Sequence, residues 1–422
     1  MSGHTSGLEI EPWRKQILFA TMAAMMVSLF LSRSALSISM IAFVCASVSH
    51  RQVGKQFREF ARSPLLVSMS LLFFLPLLSG LWSEDKQLWW KVVVIKAPLW
   101  FLPLAFARPF RFRAHSWHWL AVLFIFLMLA STGWSFFHYM QHFDAVNTGY
   151  EAGRSMPGFL ENDRVRFSLL IALSVLVSVL LATSRRLKQG LRIFALLAAG
   201  WFVIYLHLLS VRTGLLAFYV MAIAGLAKLP RRLSLPLLLI LISLPVAAYL
   251  LFPSFEKRVL YFRHELPYLR NAAFFYGGND VTRVISINGG WEVMNRHPFT
   301  GTGTGDLDST MNEWYRKNYP QIPPEQRIAP GSEWLIYGAT LGWPGLIFFT
   351  AVLLVPFFVP ERRDLPFLLI HLAFAFSLLF DIGLEVQFGV FIYSFITLAW
   401  WRRLRDRNPE HGKLQPISQS TK

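Results

Sequence analysis

Two arginines and two glutamates, one arginine within a long polar stretch and the others where apolar and polar sequence meet, could together grip an anion and move a proton. Arg212 lies in Leu208-Leu209-Ser210-Val211-Arg212-Thr213-Gly214, a connection of almost no length between two apolar blocks. A guanidinium is costly inside hydrocarbon and cheaper near its edge. Its planar fork suits two phosphate oxygens at once; the plainer role is snorkelling to lipid headgroups. Arg283 falls in a stretch, about 281–296, whose pattern predicts an amphipathic helix weakened by Gly289-Gly290. Taken alone, Arg283 reads as a solvated or salt-bridged residue. Glu333 follows Pro330-Gly331-Ser332, where the chain returns to apolar sequence. A carboxylate there either caps a helix or serves as a base at the water–lipid boundary. Glu385, in Leu384-Glu385-Val386-Gln387-Phe388-Gly389, is a second acid at an outer helix end.

A third group of residues could present backbone amides. Gly301-Thr302-Gly303-Thr304-Gly305-Asp306 is rich enough in glycine for N–H groups to converge on an anion, or simply to turn tightly. It lacks the Gly-Lys-Ser/Thr ending of a nucleotide loop and has no βαβ context. Metal ligation has little to draw on. Cys45, the single cysteine, sits in an apolar block, and Asp306 and Asp308 are the nearest approach to an acidic pair. His264 and His297 are isolated loop histidines. Trp291, Phe299, Trp314, Tyr315 and Tyr319 suit sugar faces or an isoprenoid chain, and also suit any membrane interface.

The elements that position these residues are membrane helices. Hydrophobic residues make up 54% of 422, and they come in blocks. Twelve blocks are long enough to predict spans: about 16–32, 34–49, 64–82, 90–107, 117–139, 167–184, 193–210, 212–228, 233–252, 333–359, 365–381 and 387–401. The fold class is therefore all-α, a polytopic bundle of about twelve transmembrane helices. Residues 1–252 form the N-terminal helices, 253–332 a long polar loop with short helices, 333–407 the C-terminal helices and 408–422 a disordered tail. The first block reads as a retained helix, since no small-residue cleavage site follows it. No internal repeat is visible.

The net charge of +17 could suggest a nucleic-acid partner, but its distribution opposes one. Basic residues cluster in alternate gaps: Arg51 to Arg62, Arg108 to Arg113, Arg185 to Arg192, Lys228 to Arg232, Arg362-Arg363 and Arg402 to Arg407. That alternation is the positive-inside pattern. It puts both termini in the cytoplasm, and it puts the 253–332 loop and a shorter loop near 140–166 outside. The partners this implies are membrane lipids.

Taken in order, these stretches resemble the O-antigen ligase and polymerase superfamily of bacterial envelopes. Trp82-Ser83 with Lys96-Ala97-Pro98-Leu99, the Ser210-Val211-Arg212-Thr213 turn, Arg283…Trp291…Gly301–Asp306, and Gly331-Ser332-Glu333-Trp334-Leu335 with Leu384–Val390 carry the resemblance. The Gly-Thr-Gly-Asp variant is similar to the form common in Bacteroidetes. The resemblance implies a metal-independent glycosyltransferase without a cofactor, in the bacterial inner membrane with its site facing the periplasm. Its donor would be a glycan on a polyprenyl diphosphate such as undecaprenyl diphosphate. Its acceptor would be lipid A core for a ligase or a growing chain for a polymerase. Arg212 and Arg283 would bind the diphosphate, with Gly303, Gly305, Trp291 and Glu385 lining the substrate site. The family's histidine would fall at Gly331, which cannot take a proton, so Glu333 is the expected substitute. Glu333→Gln is then expected to reduce transfer strongly, and Gly331→His to raise it in that background if the junction keeps its geometry. A transporter or flippase is the competing class. It is disfavoured because repeats are missing and the charges are read as lying at span ends rather than within spans.

Overall fold

The computed structural model describes residues 12–107, 111–158, 160, 163–271, 273–274 and 278–407. The expected disordered tail 408–422, and Arg108 of one basic cluster, lie outside them. Each apolar block folds as helix, because backbone within hydrocarbon must satisfy its own N–H and C=O groups. α1 (Pro12–Leu31) turns at Ser32 into α2 (Arg33–Val48), and the Ser32 hydroxyl caps α2 by accepting from Ala35 N–H at 3.1 Å. α3 (Val53–Arg62) is bent 107° from α2, and α4 (Pro64–Ser79) follows. α5 (Lys86–Lys96) and α6 (Pro98–Ala107) make one span interrupted at Ala97-Pro98. Then come α7 (Ala114–Gln141), α8 (Phe143–Glu151), α9 (Arg164–Ala182), α10 (Gln189–Leu209), α11 (Arg212–Leu226) and α12 (Arg231–Leu251). The polar stretch folds into α13 (Pro253–Asn271), α14 (Asn279–Arg296) and α15 (Leu307–Asn318). The chain closes with α16 (Glu333–Leu354), α17 (Leu365–Leu379) and α18 (Gln387–Arg407).

The protein is thus a helical multi-pass membrane protein, and the described residues contain no strand. The expected count of about twelve spans is not confirmed. Seven described spans are long and apolar enough to cross, or eight if α2 and α3 form one bent span. The apolar helices α4, α11 and α17 have only 16, 15 and 15 residues. At about 1.5 Å per residue they fall short of the roughly 30 Å hydrocarbon core.

α9 is the centre of the bundle, packed on α7, α10, α11 and α17 and buried along most of its length. α12 is its opposite. It is apolar all round, only Leu241 and Ala248 are buried, and Leu239, Ile242 and Leu250 face outward. In water that surface would be untenable; in a bilayer it is a lipid face. The polar stretch packs onto the bundle through a small second core, in which Val281, Ile285 and Val293 of α14 meet Leu307, Met311 and Trp314 of α15 and Ile336 of α16. Gly289 and Gly290 make this possible. A Cβ on Gly289 would lie 2.8 Å from the Trp314 ring, and one on Gly290 would lie 2.7 Å from Pro330. The glycine pair that weakens α14 locally is what lets it pack.

α8 and α13, from the two expected outer loops, lie together. Arg185, Arg363, Arg403 and Arg407, from three basic gaps, gather around one cavity. α18 runs from beside Glu385 to that cavity, so the two groups lie about one helix length apart.

Candidate active site

The Ser210-Val211 turn is rigid before it carries any charge. Ser210 takes the left-handed conformation (φ 53°) and its hydroxyl donates to His207 O at 2.7 Å. Tyr150 donates to Leu209 O (2.9 Å) and Ser254 to Leu208 O (2.7 Å). Arg212 therefore enters from a fixed backbone. Its guanidinium lies over the Phe262 ring, 4.4 Å from the centroid, and pairs with Asp280. Asp280 is delivered by α13: Glu265 accepts from the N–H groups of Asp280 (2.8 Å) and Val281 (3.2 Å), capping α14. Burial pushes the Glu265 carboxyl above its ordinary range, opposed by the Val281 N–H and by Arg212 and Arg258. Arg258 donates to Gly153 O at 3.0 Å, and burial holds its guanidinium below the usual value. Arg164 stands close enough to act on it. Nη2 of Arg212 and Nε of Arg164 and Arg258 are buried without a hydrogen-bond partner among the described residues. Buried donors of this kind are rare unless a ligand or water completes them.

Arg283 lies one turn beyond Asp280 on α14. It is half-buried, and no described group pairs with its guanidinium. Its charge acts on both Arg212 and Asp381. Its stem covers Gly331: a Cβ there would sit 2.5 Å from Arg283 Cγ and 3.2 Å from Cδ. The Gly331 N–H donates to Ser286 Oγ at 3.0 Å. The two positions singled out separately in the sequence are thus in contact, and the space a side chain at 331 would need holds Arg283.

Glu333, the first residue of its span, is closed off from solvent by the protein itself. Its side chain is 0% exposed, and Lys96 Nζ lies 3.6 Å from Oε1. Oε2 accepts from Leu384 N–H at 3.1 Å. Lys96 also contacts Glu385 at 2.5 Å and Tyr337 Oη at 3.3 Å, with its ammonium 4.4 Å from the Tyr337 ring centroid. Beside this triad, Arg166 pairs with Asp381 (3.0 Å) and Asp163 (3.2 Å). Glu333 and Glu385 are therefore held by one lysine that joins the α5–α6 span to α16 and to the start of α18. This corrects two expectations. Glu333 is committed to a buried partner rather than open to an acceptor, and one charge does lie inside a span.

The glycine run does not form an anion cradle. α16 breaks at Gly342 (φ 72°, ψ −167°), followed by Trp343-Pro344. In an unbroken helix, Ala339 O would accept from Trp343 N–H and Thr340 O from residue 344, which is proline and has no N–H. Trp343 N–H instead donates to Pro298 O at 2.8 Å. The two orphaned carbonyls are taken by Thr302 N–H and Gly303 N–H, both at 2.9 Å. Gly301 (φ 65°) and Gly303 (φ 87°) supply the left-handed turns that allow this. Thr304 N–H donates to Ser79 Oγ (3.1 Å) and Gly305 N–H to Ser83 Oγ (3.2 Å). Asp306 accepts from the N–H groups of Glu84 (2.7 Å) and Asp85 (2.9 Å). The amides of Gly303 and Gly305 are thus spent on protein acceptors, and the run is a splint between the broken α16 and the α4–α5 corner.

Trp291 is half exposed and meets Trp343 edge to face at 5.5 Å, so it can offer a face to a sugar or lipid. His264 lies beside Tyr268 on α13, and His297 ends α14 with its carbonyl accepting from Gly301. Among the described residues no three His, Cys, Asp or Glu side chains cluster as metal ligands would. Lys96, Arg166, Glu265 and Asp280 went unrecognised as site residues in the sequence. Only Lys96 had a signal of its own, a charge inside an apolar block.

The O-antigen ligase family model matches residues 194–350, from within α10 to within α16. The match contains Arg212, Arg258, Glu265, Asp280, Arg283 and Gly331; Lys96 and Glu385 lie outside it. No curated protein matches the chain. That match and the membrane fold support membership of the O-antigen ligase/polymerase superfamily, and with it a glycosyltransferase-like part in glycan assembly on lipid-linked substrates.

Proposed function

We propose that the protein transfers a glycan from a polyprenyl diphosphate to a lipid-linked sugar at the periplasmic side of the inner membrane, as an O-antigen ligase with lipid A core as acceptor. The observation that carries this reading is that Arg212 of α11 and Arg283 of α14 lie near enough for their charges to interact, in a cluster whose Arg212, Arg164 and Arg258 each keep a buried donor without a partner among the described residues. In the transfer, the acceptor hydroxyl attacks the anomeric carbon while its bond to the diphosphate oxygen breaks. Negative charge grows on the diphosphate, and preorganised guanidiniums favour that charge more than they favour the ground state. Arg212 and Arg283 take this role, with Arg258 and Arg164 adding positive potential behind them.

The acceptor's proton needs a base. Asp280 is the partly exposed carboxylate of the cluster, with its side chain 25% accessible. A diphosphate that takes Arg212 would compete with Asp280 for it and leave that carboxylate free to accept the proton. Glu333, fixed by Lys96, then acts as a positioning residue for the Gly331 junction. Trp291 and Trp343 offer faces to the sugar, and guanidinium charge does the work a divalent cation would otherwise do.

The test is the lipopolysaccharide of a deletion strain. A ligase predicts loss of all polymer from lipid A core, while a polymerase predicts one repeat unit attached. Normal lipopolysaccharide with a defect in moving a small molecule would instead support a transporter and remove this proposal.

A further inference from the structure

A cavity lies at the far end of α18 from the Lys96–Glu333–Glu385 triad. It holds about 850 Å³ and opens where the end of α18, the start of α7 and the α9–α10 and α16–α17 connections meet. Six arginines line it: Arg185, Arg186, Arg363, Arg403, Arg405 and Arg407. Three carboxylates share the wall, and all three are occupied. Glu361 pairs with Arg405 at 2.9 Å. Asp364 accepts from Phe367 N–H (3.0 Å) and Trp400 Nε1 (2.9 Å). Asp406 pairs with Arg402 (2.9 Å) and accepts from Phe112 N–H (3.1 Å) and Trp117 Nε1 (3.0 Å). Arg403 lies over Trp400, 4.3 Å from its ring. Arg185, Arg186, Arg363 and Arg407 form no ion pair with any described residue. The cavity therefore carries uncompensated positive charge.

A narrow apolar cleft adjoins it, of about 120 Å³, bounded by Met22, Met26, Ala121, Leu173 and Ile396. Trp117, His118 and Arg403 line both spaces. Arginines spread flat along a membrane surface attract anionic lipid diffusely. Here the charge is recessed, and the recess continues into a slot that has room for a segment of one acyl chain. The combination matches both parts of one amphiphile, whereas a free phosphate would leave the cleft unused.

We propose that this cavity and cleft form a binding site for an anionic phospholipid, with the phosphate among Arg185, Arg363, Arg403 and Arg407 and a chain in the cleft. The site is distinct from the Lys96–Glu333–Glu385 triad: Glu385 and Arg403 are separated by most of α18, about 27 Å at 1.5 Å per residue, and none of the residues lining it belongs to the Arg212 cluster. A lipid held here would tie α7, α9 and α18 to the α16–α17 connection.

Native mass spectrometry of the detergent-solubilised protein, titrated with phosphatidylglycerol or phosphatidylcholine, tests this. One phosphatidylglycerol should bind in preference to phosphatidylcholine. Arg185→Gln/Arg363→Gln/Arg407→Gln should weaken that binding by about tenfold or more, and Ala121→Trp, which fills the cleft, should weaken it comparably. Arg51→Gln/Arg58→Gln/Arg62→Gln removes equal charge outside the cavity and should leave it unchanged. The two kinds of site variant are independent, so misfolding of one leaves the other decisive. An equal loss in the control triple would mean diffuse attraction. Displacement by inorganic phosphate would mean a free-anion site, and unchanged binding in Ala121→Trp would remove the chain from the cleft. Each of these results would overturn the proposal.

Discussion

Replacing Lys96 by methionine should destabilise the protein more than any other single change in the triad. The lysine is 2% exposed and Glu333 is 0% exposed, and the ammonium lies 2.5 Å from Glu385 and 3.6 Å from Glu333. Removing one partner from a buried pair costs about 3–5 kcal/mol, because the other charge stays buried without compensation. Glu333→Gln should cost far less, about 1 kcal/mol. The amide oxygen can still accept from Leu384 N–H, and Lys96 keeps Glu385. Lys96→Met/Glu333→Gln should then be milder than Lys96→Met alone, since it leaves no unpaired charge at Glu333; a coupling of about 2–3 kcal/mol is expected. Equilibrium unfolding in mixed micelles, read by tryptophan fluorescence, measures all three. Transfer by Glu333→Gln is read in parallel and should largely survive. Unchanged stability in Lys96→Met, or strict additivity in the double variant, would refute the anchoring argument. So would a Glu333→Gln protein of normal stability that transfers nothing, which would return Glu333 to catalysis.

Four further outcomes are expected. Gly331→His should lower transfer by about tenfold or more, because its Cβ displaces the Arg283 stem and with it an oxyanion-type donor; a gain in transfer would show that Arg283 moves aside freely. Asp280→Asn should cost about 10²–10⁴ in rate if its carboxylate is the base, and full activity there would discard that role. Arg212→Ala and Arg283→Ala should abolish transfer at normal expression, lysine should restore only part of it, and EDTA should leave the parent active; inhibition by EDTA reversed by a divalent ion would end the metal-free account. With Cys45 replaced, a cysteine near residue 310 should react with a membrane-impermeant thiol reagent in intact cells and one near Arg58 should not, and the reverse pattern would invert the topology.

The helices themselves were legible in the chain, since hydrocarbon permits an apolar block little else than a helix. The same holds for α14, whose amphipathic pattern outweighs Gly289-Gly290, and for Arg212, whose place in a tight turn follows from the two blocks flanking it. The number of spans was not legible, because α4, α11 and α17 are apolar yet short. The meaning of the glycine run was hidden for a different reason. Its amides serve carbonyls freed by a break at Gly342, about 40 residues later, and nothing local to the run announces that break. Lys96 meets Glu333 and Glu385, and Arg212 meets Asp280, across separations that no periodic pattern records. Local composition decides what a segment must become, because that depends on its own solvent. Which charge faces which is decided only when the helices pack, because a buried ion is tolerable only beside a partner that the fold brings to it.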